Sequence, residues 1–171
     1  LRGGWSNRVK VVTKVAPIEK RYADNPVAEN LSMLVQNSYL KSCVNLETKT
    51  IDTLMLHRMH DLELAPVFNE LQRLKYQGKI NNIGVSVQSP CELEKVLKLK
   101  DVSLVQMPFN ILDDRWDHLI DSIRMARLER GLIVHARSAL LQGLLCVDYE
   151  NKWMAAGVNN YDEVIPWLLK M

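Results

Sequence analysis

Seven glycines in 171 residues leave no G-x-G-x-x-G, and the residues that follow the first β-like run, Lys14-Val15-Ala16-Pro17, include no glycine. A dinucleotide-binding turn that cradles pyrophosphate on a glycine-rich loop is therefore excluded. The three cysteines, Cys43, Cys91 and Cys146, cannot all pair, and they lie too far apart for a compact metal or redox motif. Free thiols in a reducing, cytoplasmic setting are the expectation, with no metal site. Charge of one sign is also lacking: 22 Lys+Arg stand against 20 Asp+Glu, a formal charge of +2. With no basic block longer than a pair, neither nucleic acid nor an anionic membrane is a favoured partner. Long apolar runs are missing too. Stretches such as Leu144-Leu145-Cys146-Val147 fall far short of the ~18 to 20 residues of a membrane span. The start, Leu1-Arg2-Gly3-Gly4-Trp5-Ser6, is neither a signal peptide nor an amphipathic presequence, and its lack of Met suggests a lost natural N-terminus.

What is present is an alternation of two periodicities. Five β-branched runs read as strands: Val9 to Val15, Ile51 to His57, Asn82 to Val87, Ser103 to Phe109 and Leu132 to Ser138. Between them, helical spacing covers Pro26 to Asn45, with Leu31, Leu34, Val35 and Ser38 on one face, then Ala65 to Gln77, Pro90 to Leu99 and Arg115 to Glu129. Ser89 ahead of Pro90 and Glu92 has the pattern of a helix cap, and Asp113 and Asp114 sit where the next helix dipole favours anions. Gly78 and Gly131 fall where a helix end wants a left-handed residue.

Strands that alternate with helices belong to a parallel sheet with right-handed crossovers. Two architectures remain open: a complete doubly wound sheet of flavodoxin type, or a section of an eight-stranded barrel that as a whole needs ~250 residues. Every strand ends in a polar or chargeable group, namely Lys14, His57, Ser86, Gln106 with Asn110, and His135 and Arg137 with Ser138. In both architectures chemistry lies at those carboxyl ends, but a switch-point site would come with a phosphate loop. The barrel section is preferred: an α/β chain of five parallel βα units, part of a (β/α)8 TIM barrel.

Taken by themselves, these residues allow bland readings as well as functional ones. Lys14 interrupts an apolar strand, where a buried ammonium demands a partner and the alternative is a lysine snorkelling from the strand end. His57 closes an apolar strand with an imidazole that can donate to a substrate carbonyl while remaining neutral, though a lone strand-end histidine also serves structure. Ser86 and Gln106 could satisfy strand-end backbone groups. Met107, Phe109 and Trp116 read as packing before pocket wall.

The succession VVTKVAP, IDTLMLHR, LKYQGKINNIGVSV, LVQMPFNILDDRW and GLIVHARSALLQGLL closely resembles the aldo-keto reductase superfamily, in particular bacterial members with a GVS-V and an HARS-x-LLQGLL signature. The resemblance runs from Val9 to about Leu145 and implies that the five strands are the third to seventh of the family barrel. It implies one incomplete domain over 1-171, with a leader at 1-8, a barrel core at 9-145, and at 146-171 a loop and the start of the next helix. Two members of the family's tetrad match, Lys14 and His57, whereas its Tyr and Asp belong to a segment ahead of this chain. By resemblance, Lys14 would lower the pKa of the acid-base tyrosine and His57 would orient the substrate carbonyl. Ser86 and Gln106 would hold the nicotinamide carboxamide, although the family's usual Asn beside the serine is Val87 here. Arg137 replaces a ring-stacking Tyr, and Ser138 and Gly143 fall in the segment folded around the pyrophosphate.

The implied activity is reduction of an aldehyde or ketone by hydride transfer from NADPH, with a small-molecule carbonyl substrate and this chain inactive alone. Val9 to Val15 and Leu132 to Ser138 would be unpaired sheet edges. They are expected to pair with strands of the natural chain or with another copy in a homo-oligomer. A non-catalytic barrel remnant, serving as a binding or assembly module, is the alternative of a different class.

Overall fold

The computed structural model describes residues 9–18, 28–146 and 150–170. The leader at 1–8 and the expected helix start at Pro26 lie outside the described residues. Strand β1 (Val12–Lys14) leads to helix α1 (Ala28–Leu46), β2 (Ile51–Leu56), a 3-10 turn at Met59–Glu63, α2 (Ala65–Tyr76), β3 (Ile80–Ser86) and α3 (Pro90–Leu97). Then come β4 (Val102–Pro108), a 3-10 segment at Asp114–Leu119, α4 (Ile120–Arg130), β5 (Ile133–Arg137), a second 3-10 segment at Leu141–Cys146, and helices α5 (Glu150–Ala155) and α6 (Tyr161–Leu168). All five expected strands are present, trimmed or shifted at their ends. The fourth expected helix is divided, because its first turn is wound as the 3-10 segment at Asp114–Leu119.

The sheet order is β1-β2-β3-β4-β5, with parallel pairing and sequential neighbours. A doubly wound sheet must reverse its strand order at a switch point. None occurs among the described residues, and the five parallel βα units form part of a (β/α)8 barrel.

By compactness the chain divides into two units: 1–107 with 114–135, and 108–113 with 136–171. In the first, one sheet face packs Leu54, Leu56, Ile83, Val85 and Val105 against Leu31 and Val35 of α1, Leu71 of α2 and Leu93 of α3. Of the α1 face expected from spacing, Leu31 and Val35 are buried while Leu34 packs at the margin. Local chemistry sets the ends. Ser89 Oγ accepts from Glu92 N at 3.4 Å, and Gly78 and Gly131 take φ of 66° and 68°, the left-handed geometry that glycine adopts without steric cost. The Arg130 guanidinium gathers the carbonyls of Leu97 at the end of α3, of Leu99 and Lys100 in the loop and of Val102 at the start of β4, tying the exit of the helix to the next strand. The second unit contains α5, with Trp153 buried, and α6, which carries Pro166 within it.

Candidate active site

The site is built on the sheet face opposite the helices. Side chains alternate along a strand, and partners in register share a face. The pairs Lys14↔Met55, Met55↔Gly84 and Gly84↔Leu104 therefore define one row across four strands. One step toward the carboxyl ends, Ser86↔Gln106 begins the next row, which His57 enters two residues beyond Met55. Gln106 reaches this face through an irregularity. Ile83 pairs with Val102 and Gly84 with Leu104, so Ser103 is an extra residue. Val102 lies in the helix-covered core, and strict alternation would have carried Leu104 and Gln106 to that same side. The bulge shifts the phase by one and turns them to the face of Gly84 and Ser86.

Lys14, half-buried, donates from Nζ to Gln106 Oε1 at 2.8 Å, a partner from the fourth strand for an ammonium on the first. His57 is anchored through Nδ1, 2.7 Å from the carbonyl of Val15. A carbonyl only accepts, so Nδ1 carries the proton and the neutral ring presents a lone pair at Nε2. Donation from Nε2 to a substrate oxygen then requires the imidazolium, and the donation by a neutral ring expected from the sequence does not hold, because the Val15 carbonyl takes the one proton of the neutral form. Ser86 is buried at 3% exposure, and Gly84 keeps the floor beneath it low. A Cβ at Gly84 would stand 2.6 Å from Met55 Cγ and 3.1 Å from Thr53 Cγ2.

Asp61, in the 3-10 turn just past His57, was not singled out by sequence. Its side chain is 2% exposed, and His60 Nε2 lies 3.1 Å from its Oδ1 without hydrogen-bond geometry, so Oδ1 has no hydrogen-bond partner among the described residues. Burial pushes its carboxyl above the ordinary value, against the opposing pull of His60, Arg58 and His57. A carboxyl with a raised native pKa binds its proton more tightly folded than unfolded. Its contribution is therefore most favourable below the unfolded value and declines as pH rises through the native one. Asp61→Asn is expected to raise stability at neutral pH by about 1 kcal/mol, roughly 2–4 °C in Tm. The gain should vanish at about pH 3; melts at both pH values check it. The only hint in the sequence is that Asp61 sits between Met59 and Leu62, both buried.

The remaining candidates separate. Met107 and Trp116 belong to the hydrophobic core. Arg58 is exposed. Asn110 accepts from Leu112 N at 2.9 Å through Oδ1, a turn-forming role. In the second unit, Arg137 ends β5 and its carbonyl accepts from Phe109 N at 3.0 Å. Ser138, Leu141 and Gln142 have φ of 58°, 45° and 54° and Gly143 has 90°, a run in the left-handed region that non-glycine residues enter at a cost. A cavity of about 380 Å³ there is lined by Ser138, Leu141, Gln142, Leu144, Ala156 and Val158. Among the described residues no group of His, Cys, Asp or Glu could hold a metal ion, and no helix is long and apolar enough to cross a membrane.

A model of the Aldo/keto reductase family matches residues 2–159. No curated protein matches. Among solved structures, the holo form of an aldo-keto reductase from Bacillus halodurans is similar at 24% identity and a TM-score of 0.64, over 83% of this chain and 47% of that one. An aldo/keto reductase from Klebsiella pneumoniae in complex with NADP and acetate matches at 22% identity and a TM-score of 0.59, over 90% of this chain and 53% of that one. The chain thus spans about half the length of these relatives, and at these identities the likeness is one of fold.

Proposed function

The chain belongs to the aldo/keto reductase family, and from that premise we propose that the protein carrying it is an NADPH-dependent oxidoreductase that reduces an aldehyde or ketone to an alcohol. The observation that supports this most is the Lys14 to Gln106 hydrogen bond on the face that also carries Ser86. It places an ammonium beside an amide at the carboxyl ends of barrel strands, where this fold does its chemistry.

The residues fit a nicotinamide. Gln106 has an amide nitrogen without a hydrogen-bond partner among the described residues, and Ser86 presents a hydroxyl in the same register. Both suit a carboxamide, which needs short groups of matched donor and acceptor capacity. When bound, the cofactor supplies the hydride. Lys14 is assigned a fixed positive charge toward an acid-base phenol, favouring its ionised form. His57, braced by Val15 through Nδ1, orients the substrate oxygen from Nε2 as the imidazolium, the form in which that nitrogen donates. Arg137 is assigned to the ring face, and Ser138 and Gly143 to the pyrophosphate.

The reading of 1-171 as one incomplete barrel domain, inactive alone, belongs to the same proposal. So do a reducing, cytoplasmic compartment, consistent with three free cysteines, and pairing of the β1 and β5 edges in a homo-oligomer or with further strands. Fluorescence titration with NADPH and turnover of an aldehyde and ketone panel, on this chain and on the full-length gene product, test it. The expected result is binding and carbonyl-dependent NADPH oxidation by the full-length product. Neither binding nor oxidation there overturns it.

A further inference from the structure

His57 enters the site with its protonation half decided. The Val15 carbonyl keeps a hydrogen on Nδ1, so the ring donates from Nε2 only when it is doubly protonated and charged. Its neighbours on the sheet face do not favour that charge. Lys14 of β1 brings an ammonium to the same face, where a like charge disfavours a second one, and Ser86 of β3 is neutral. An imidazolium here needs an anion close by.

Asp61 is that anion among the described residues. It follows His57 by four positions, in the 3-10 turn at Met59–Glu63, and its N–H donates to the Arg58 carbonyl at 3.3 Å. The side chain is 2% exposed and Oδ1 has no hydrogen-bond partner among the described residues, so its charge is poorly screened by water and not spent on a donor. The groups whose charges act on it are His60, Arg58 and His57. Other carboxylates around the turn are engaged elsewhere: Glu63 by Lys95 at 2.7 Å, and Glu70 of α2 by two bonds from Arg73. A buried carboxylate left without a donor costs stability. What it gives in return is charge beside a histidine that must carry one.

Resting on the role assigned to His57 above, we propose that Asp61 is a positioning residue whose carboxylate stabilises the His57 imidazolium through space. Nε2 thereby remains a donor to the substrate oxygen up to a higher pH than the ring would sustain beside Lys14 alone. His60, 3.1 Å away and half exposed, draws on the same carboxylate from the solvent side.

The coupling is tested first without ligand. In ¹³C-labelled full-length gene product, the Asp61 carboxyl signal is identified by its loss in Asp61→Asn and titrated in the parent and in His57→Gln. Loss of the imidazolium is expected to raise the Asp61 midpoint by about half a unit or more; a midpoint moved by less than about 0.2 unit overturns the proposal. The pH profile of kcat for carbonyl reduction then reads the consequence. In Asp61→Asn the alkaline limb is expected about 0.5 to 1 unit lower, a loss of about 3- to 10-fold above the limb that shrinks as pH falls. That variant is expected to be more stable than the parent, so misfolding does not account for a loss. A loss of equal size at every pH, or an unmoved limb, overturns the proposal. A parent protein that oxidises NADPH with no carbonyl overturns the functional reading instead, and a raised Asp61 midpoint in it still supports the coupling to His57.

Discussion

Lys14→Met and His57→Ala, made singly in the full-length gene product, are each expected to lower kcat for carbonyl reduction by about 10²- to 10⁴-fold, the range for loss of a well-placed acid-base group. Affinity for NADPH should change by no more than about tenfold, the scale of one or two hydrogen bonds. The split follows from geometry. Lys14 sits one row below Gln106 and spans to it, so its loss removes a fixed charge from the reacting region and frees the amide. Among the described residues His57 is held by a single hydrogen bond at Nδ1, so alanine removes the Nε2 group while the Val15 carbonyl remains at the end of β1. Steady-state kinetics with NADPH titrations decide the matter. Activity within a few-fold of normal in either variant would show that the residue has no part in the chemistry.

Gly84→Ala is expected to cost about 2 kcal/mol, roughly 4–8 °C in Tm. The added Cβ would meet Met55 Cγ at 2.6 Å and the Leu104 carbonyl oxygen at 3.3 Å. Met55 is fully buried, and the clashing atom lies near the root of its side chain, so a simple swing of the tip gives no relief. The same substitution in a Met55→Ala background should cost less, a coupling read from a double-mutant cycle. Equal cost in both backgrounds, or a Tm within 1 °C of the parent, about the uncertainty of additivity, would show that the crowding in this row is not real.

The elements of the fold were legible because their signals are local. The apolar run Ile51 to His57 became β2, Ile51–Leu56. The Ser89 cap and the glycines at 78 and 131 punctuate the chain as their spacing predicted. The expected helix Arg115 to Glu129 was less legible: the segment Asp114–Leu119 winds tighter, and the α-helix begins only at Ile120. Candidate site residues could be chosen by type at strand ends, but their partners could not. Asp61 escaped notice because burial of a carboxylate depends on how the turn after β2 is covered.

Residue order alone determined the alternation of strand and helix, their caps, and the polar group at each strand's carboxyl end, since each depends on neighbours a few positions away. Tertiary structure decided which of those groups meet. Lys14 and Gln106 bond across 92 positions of sequence. Gln106 faces the site only because the bulge at Ser103 shifts the phase of β4 against β3, and His57 is fixed in one tautomer by the Val15 carbonyl just past the end of β1. Register between strands sets all three, and register is a property of paired chains that no single run of residues contains.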